Sequence, residues 1–388
     1  MSQRQAIIIG AGVAGLAAAW WLHRIGWRTV VLERAGDLRD AGYMIGLSGP
    51  GLEIARRMEL TPKLEAAACV VNENVYRDTR GRELLRLHYR EFLKDLPYIA
   101  LRRTALVQAL HEAIAAHTDV HFSADVIGLE NGAEGTRVQL ADGRVLEADL
   151  VIGADGLRSF VRRHVFGADT VYFKQLGYRF ATYDLVDELK LGVDFLSYTE
   201  PGHIVEYYTL SDGRLAALHV WCSKTNGQVA PGERWPLIER AARTSHPSVR
   251  QMIELAKPGS PPVLDDLTLV DMPAWSKERV LLLGDSAHCL TLISGQGAGM
   301  AITSASILSE ALSKTDIDEA LRRHEERLRP AITRLQDRSR KMGKLFVPAT
   351  PLSFHLRNTM LRYMPRRWLG QYFQNAVKSE IVASGGVT

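Results

Sequence analysis

The chain lacks most of the features that would settle its class at a glance. It has three cysteines in 388 residues, Cys69, Cys222 and Cys289, too few and too scattered for a disulfide framework or a cysteine-rich zinc site. A reducing, cytoplasmic setting is the expectation. Its histidines form no His-Glu-x-x-His motif, so no metal is expected. No segment approaches the ~18 consecutive apolar residues of a membrane span, so no stable membrane insertion is expected. Lys and Arg (48) barely exceed Asp and Glu (44), which gives no case for nucleic acid, a partner that demands a basic stripe. Internal repeats and low-complexity tracts are absent, which excludes solenoids. At 46% apolar and 24% charged the composition is that of a globular protein, and the length suits two or three folding units.

What is present begins at the N-terminus. Ala6-Ile7-Ile8-Ile9 is a short unbroken apolar run, the pattern of a strand buried on both faces of a parallel sheet. Val13 to Ile25 is rich in good helix formers and is closed by Gly26. Thr29 to Leu32 is a second buried strand, ending at Glu33. Inside this strand–helix–strand unit lies Gly10-Ala11-Gly12-Val13-Ala14-Gly15. Gly10 permits a tight turn, Gly12 lets the backbone approach a pyrophosphate, and Gly15 allows close helix–strand packing. The helix start, with Ala14 in its first turn, offers unpaired N–H groups to phosphates. Glu33, followed by Arg34, would accept ribose hydroxyls and disfavour a ribose phosphate. The ligand is therefore FAD or NAD rather than NADP.

Further on, Thr104 to Ala116 reads as a helix, Val120 to Phe122 as a strand, and Asp142-Gly143 as a hairpin turn. From Tyr172 to Cys222 polar residues alternate with β-branched and aromatic ones, which predicts a mixed or antiparallel sheet with one wet face. A helix is expected from Ala298 to Leu312, and a helical tail from Ile317 broken at Pro330, Pro348, Pro351 and Pro365. Two more motifs follow buried strands. One is Asp155-Gly156-Leu157-Arg158-Ser159-Phe160-Val161-Arg162. The other is Gly284-Asp285-Ser286-Ala287-His288, running through Gly295-Gln296-Gly297-Ala298 into a helix. Asp285 sits at the carboxyl end of a strand, where open α/β sheets bind ligands.

Three motifs in this order and spacing resemble the class A flavoprotein monooxygenases, the aromatic hydroxylases that include para-hydroxybenzoate hydroxylase. The resemblance implies that Gly10 to Gly15 and Glu33 hold the adenosine diphosphate of FAD, and that Asp285 binds the ribityl chain. Asp155, Gly156, Ser159 and Arg162 match the family's Asp-Gly motif, and Arg103 its arginine near FAD. It also implies NADPH or NADH as a transient reductant, O₂ as co-substrate, and transfer of oxygen from a flavin hydroperoxide to an aromatic or polycyclic phenol. No catalytic side chain is then required. The helical tail and Arg39-Asp40-Ala41-Gly42 look more particularly like the tetracycline-inactivating branch. One departure is plain: where the family carries prolines after the Gly-Asp motif, this chain reads Cys289 to Ser294 without one.

The expected fold is α/β: a Rossmann-like FAD-binding domain with a parallel sheet (1–70, 100–170, 270–320), a mixed or antiparallel substrate domain (71–99, 171–269) and a C-terminal helical bridge (321–388). Candidate pocket residues are Tyr178, Phe180, Tyr207, His219 and Leu292, with Tyr183 and His203 beside them; strand alternation turns only about half of such a set inward. An FAD-dependent reductase and a non-catalytic flavoprotein holding a hydrophobic ligand are the rival functions, and the chain is expected to be a monomer or homodimer. Residues around Lys344 to Tyr372 are expected to bridge the domains. The basic, aromatic stretch from His355 to Trp368 reads either as that bridge, its arginines solvated, or as a membrane-surface helix.

Overall fold

A computed structural model describes residues 3–38, 43–92, 97–133, 135–188, 190–364 and 368. One layer is organised by a six-stranded sheet in the order Ser276–Lys277, Val280–Leu282, Leu150–Gly153, Gln5–Ile9, Arg28–Leu32, Asp119–His121. All neighbours run parallel except the first hairpin. Apart from Gln5 the two central strands are apolar because both faces of the sheet are covered, which leaves no side of the pleat for polar residues. Helices Val13–Arg24, Arg103–Ile114 and Gly297–Leu312, packed on one another, form one layer of that cover, and the three-stranded sheet of Val126–Gly132, Gly135–Leu140 and Val145–Ala148 packs into the same core. The Asp142-Gly143 turn closes a hairpin within this small sheet.

A second, seven-stranded sheet has the order Val263–Val270, Phe173–Leu185, Leu215–Cys222, His203–Thr209, Phe195–Glu200, Glu73–Arg77, Glu83–His88. It is antiparallel save for the parallel pair of Phe195–Glu200 with Glu73–Arg77. The expected wet face is not there. Strands Phe195–Glu200 and His203–Thr209 are buried almost along their whole length. One face lies under helices Pro231–Ala241 and Pro247–Ala256, where Tyr183, Val205, Tyr207 and Trp221 pack. The other carries Phe180, Ile204, Tyr208 and Leu218 and meets Leu292, Phe346 and Leu361.

The helix-covered face also holds a buried polar chain. Tyr183 Oη lies 2.9 Å from His219 Nε2, His219 Nδ1 lies 3.1 Å from His203 Nε2, and His203 Nδ1 reaches Ser245 Oγ and Glu200 Oε1 at 3.1 and 3.2 Å. Partnered in this way, the polar groups escape the penalty of unsatisfied burial.

Pro330 does not break the tail: one helix runs from Ile317 to Phe346 through it. Proline removes the bond to the carbonyl four residues back. Pro330 and Glu326 are both exposed, so water can reach the carbonyl left without that bond. Pro351 opens the next helix, Pro351–Tyr363, behind a Thr350–Ser353 capping box. Among the described residues no helix is long and apolar enough to cross a membrane.

The long helix buries His324, which faces Ser304 at 2.9 Å, and Trp275 lies between it and His288. Burial lowers His288 to about 4 and His324 to about 3, so both are neutral when folded at neutral pH. Unfolded, each titrates near 6.5. Their contribution to stability is therefore whole above that value and is lost as pH falls from there toward 4 and 3. At pH 5 the loss should be about 2 kcal/mol per histidine, read as a lower urea midpoint than at neutral pH.

Candidate functional site

Backbone packing builds the first wall of the site. A Cβ on Gly15 would lie 2.0 Å from the Gly10 carbonyl oxygen, and one on Gly10 would lie 2.5 Å from that of Ala154. The helix start can approach the strand tips only with hydrogens at both positions. Gly12 differs: a Cβ there would meet nothing nearer than Arg103 Nη2 at 3.6 Å, so the space in front of it is open. That space is a cleft of about 150 Å³ lined by Ala11, Gly12, Glu33, Arg103, Asp155 and Gly156, among others. Glu33 is held at its end, Oε2 accepting from Ala11 N–H and Oε1 from Ala35 N–H, both at 2.9 Å.

The cleft shares Gly12, Arg103, Ala154 and Gly156 with a second cavity of about 370 Å³. Its polar end is made of Asp285 and the turn Gly295-Gln296-Gly297-Ala298, which delivers the N-terminus of helix Gly297–Leu312. Gly284, at φ 67°, makes the turn that places Asp285 there, and a Cβ on it would strike Ala14. Burial pushes the Asp285 carboxyl up, and the Arg103 charge pulls it back down. The apolar end is lined by Tyr43, Met44, Tyr98, Phe180 and Leu292, and burial raises the Tyr43 phenol to about 12. A rim from the large sheet, Asp265 to Thr268, closes the side.

Two motif residues work on the frame rather than in the cavity. Ser159 caps helix Phe160–Val165. Arg162, wholly buried, donates to the Ser286 carbonyl at 2.8 Å and to Asp169 at 3.0 Å, so it ties the Asp-Gly loop to the Gly-Asp loop. Asp155 receives Phe160 N–H and Val161 N–H on Oδ2, while Oδ1 is buried with no hydrogen-bond partner among the described residues.

These features fit FAD. The open floor at Gly12 suits a pyrophosphate, Glu33 a ribose, Asp285 a polyhydroxylated chain, and the helix start beyond it the electron-rich edge of a flavin ring. The family model described as FAD binding domain matches residues 3–339. The chain belongs to that family. It is an FAD-dependent monooxygenase of the aromatic-hydroxylase kind. A flavin-dependent monooxygenase from an unknown prokaryotic organism is 28% identical over 334 residues, covering 84% of this chain and 85% of its own. The 2-heptyl-3-hydroxy-4(1H)-quinolone synthase of Pseudomonas aeruginosa is 26% identical over 369 residues, covering 92% and 94%. In fold the chain resembles the tetracycline destructase Tet(51), with a TM-score of 0.84 at 24% identity over 99% of this chain and 100% of that one.

The flavoprotein's pocket departs in part from its sequence reading. Phe180 and Leu292 line the cavity. Tyr178 lies outside its lining and packs on Gly343 of the long helix. Tyr207 and His219, with Tyr183 and His203, are on the opposite face of the large sheet, under helix Pro231–Ala241; with both faces buried, the polarity pattern could not tell one from the other. Arg34 is exposed and outside the lining. Arg39 to Gly42 fall outside the described residues, as do 365–367 and 369–372 of the expected bridge. Tyr43, Met44, Tyr98 and Asp265 to Thr268 were not foreseen. The paired acids in an otherwise apolar strand were the available signal. The sequence reading that the chain has no His-x-x-x-His pair missed His117 and His121, which have that spacing; they fall on a turn and a strand, and no metal-binding group occurs among the described residues.

The missing prolines have a structural counterpart. Thr291 lines the cavity at φ 64°, ψ 156°, a region disfavoured for a β-branched residue and closed to proline. Thr291→Gly should stabilise the protein by about 1 kcal/mol in thermal unfolding, whereas Thr291→Pro should lower the midpoint. Gly12→Leu, by filling the open floor, should weaken FAD at least roughly 100-fold, seen as colourless purified protein and confirmed by flavin titration.

Proposed function

We propose that the flavoprotein hydroxylates a flat aromatic or heteroaromatic small molecule carrying a ring hydroxyl, with NADPH or NADH as reductant. The observation that carries the reading is the apolar end of the larger cavity. Tyr43, Met44, Tyr98, Phe180 and Leu292 present rings and aliphatic surface directly beside the polar end assigned to the flavin. Relatives whose names specify a quinolone and an aminohydroxybenzoate support an aromatic substrate.

When bound, FAD supplies the passage of electrons from the nicotinamide to O₂ and of one oxygen atom to the substrate. The chain supplies the setting. Asp285, the Gly12 floor and helix Gly297–Leu312 would hold and orient the cofactor. Phe180 and Leu292 would hold the substrate ring by apolar contact. Tyr208 from the large sheet accepts Met44 N–H at 2.6 Å, and so keeps the cavity wall in place and water out.

A panel of phenols and quinolones should contain compounds that stimulate NAD(P)H consumption, with one atom of labelled O₂ in the product. Stimulated consumption without label would turn the reading toward a reductase. Phe180→Ala should raise KM roughly tenfold and divert reductant to hydrogen peroxide, because water then enters the cavity.

A further inference from the structure

The helix Pro351–Tyr363 has two apolar faces, and the described residues cover only one. Phe354, Arg357 and Leu361 turn inward, with Arg357 Nη2 donating to Thr199 of the large sheet at 3.2 Å. On the opposite side Leu352, Leu356, Met360 and Tyr363 are 81, 69, 40 and 76% exposed. At about 100° per residue these four fall within about 80° of the helix circumference, a single stripe. Nearby in sequence, Trp368 is also exposed.

Charge says what covers the stripe. Residues 338–379 contain nine Lys and Arg and no Asp or Glu, so the rest of the chain is net −5 although the whole is +4. Of these, Lys341, Lys344 and Arg362 are exposed, on the end of the long helix and on the striped helix itself. A second copy of so cationic a segment would be repelled, and four side chains fall short of the ~800 Å² per partner that a stable dimer buries. An apolar stripe with flanking cations and aromatic residues matches the boundary of an anionic bilayer.

We propose that the outer face of helix Pro351–Tyr363 docks the protein reversibly on anionic lipid surfaces. Leu361 and Met364, on the helix's inner side, share one apolar cluster with Met44 and Leu292 of the cavity wall. Docking thus sets a membrane beside the cavity and favours substrates that partition into lipid. It does not depend on which ring is oxidised.

The test is co-sedimentation of the full-length, FAD-loaded protein with phosphatidylglycerol–phosphatidylcholine vesicles and with phosphatidylcholine alone, at low and high salt. Binding should require the anionic lipid and weaken with salt. Leu356→Glu should reduce it roughly tenfold and Arg362→Gln roughly fivefold. Both side chains are exposed, so flavin content and thermal midpoint should stay unchanged in these variants. No pelleting with anionic vesicles, or pelleting that Leu356→Glu leaves intact, would overturn the proposal. So would sedimentation velocity showing a dimer that Leu356→Glu dissociates, since the stripe would then be covered by a second copy.

Discussion

The site depends on a contact between backbone and backbone. Helix Val13–Arg24 rests against the tip of strand Gln5–Ile9 at a separation that leaves no room for a Cβ on Gly15, and the strand tip rests as closely on Ala154. This contact sets the height of the helix start above the sheet. The open floor at Gly12 and the orientation of its N–H groups follow from it. Gly284 extends the same construction to the third motif, since its turn is pressed against Ala14 of that helix. One layer of close packing thereby brings segments from residues 10, 155 and 285 to a common cleft.

Polar ties join the large sheet to the ribbon of strands Met44–Ser48 and Tyr98–Arg102 and to the Asp-Gly loop, and these frame the cavity. Arg102 and Arg103 are consecutive, but they serve opposite ends. Arg102 pairs with Asp184 in the large sheet, and Arg103 faces the cleft. Arg158, within the Asp-Gly motif, pairs with Asp265 on the cavity rim. Tyr208 anchors the Met44 backbone. Each tie ends on a residue that lines the cavity or on its immediate chain neighbour. Burial raises the Asp184 carboxyl, which Arg102 counters, so the pair gains from staying together in a setting poor in water.

Legibility in the sequence followed the uniqueness of each local signal. The glycine fingerprint, the Asp-Gly and Gly-Asp motifs and the buried parallel strands were readable because hydrogen side chains, carboxylates and unbroken apolar runs have few structural uses in that order. The inner and outer faces of strands 178–222 were not. Alternation divides Phe180 from Tyr183 and Tyr208 from Tyr207, but polarity identifies a face only when one side meets water, and here neither does. Pro330 misled for a related reason: proline's cost within a helix depends on whether the orphaned carbonyl reaches solvent. Met44 and Tyr98 lie on a short ribbon whose pairing joins distant parts of the chain, which local patterns do not record.

The double burial of the large sheet separates two tasks along one backbone. On strands His203–Thr209 and Leu215–Cys222 the odd-numbered residues are committed to the helices above and to the Tyr183–His219–His203 chain, while even-numbered ones join the cluster that also holds Met44, Phe180 and Leu292 of the cavity wall. Exchanging Phe180, which lines the cavity from this side, would therefore reshape the chamber without touching the polar chain on the other face. A scaffold divided in this way can acquire new substrates by substitution alone, with no insertion or loop remodelling, and its evolvability is written in the two-residue period of the pleat.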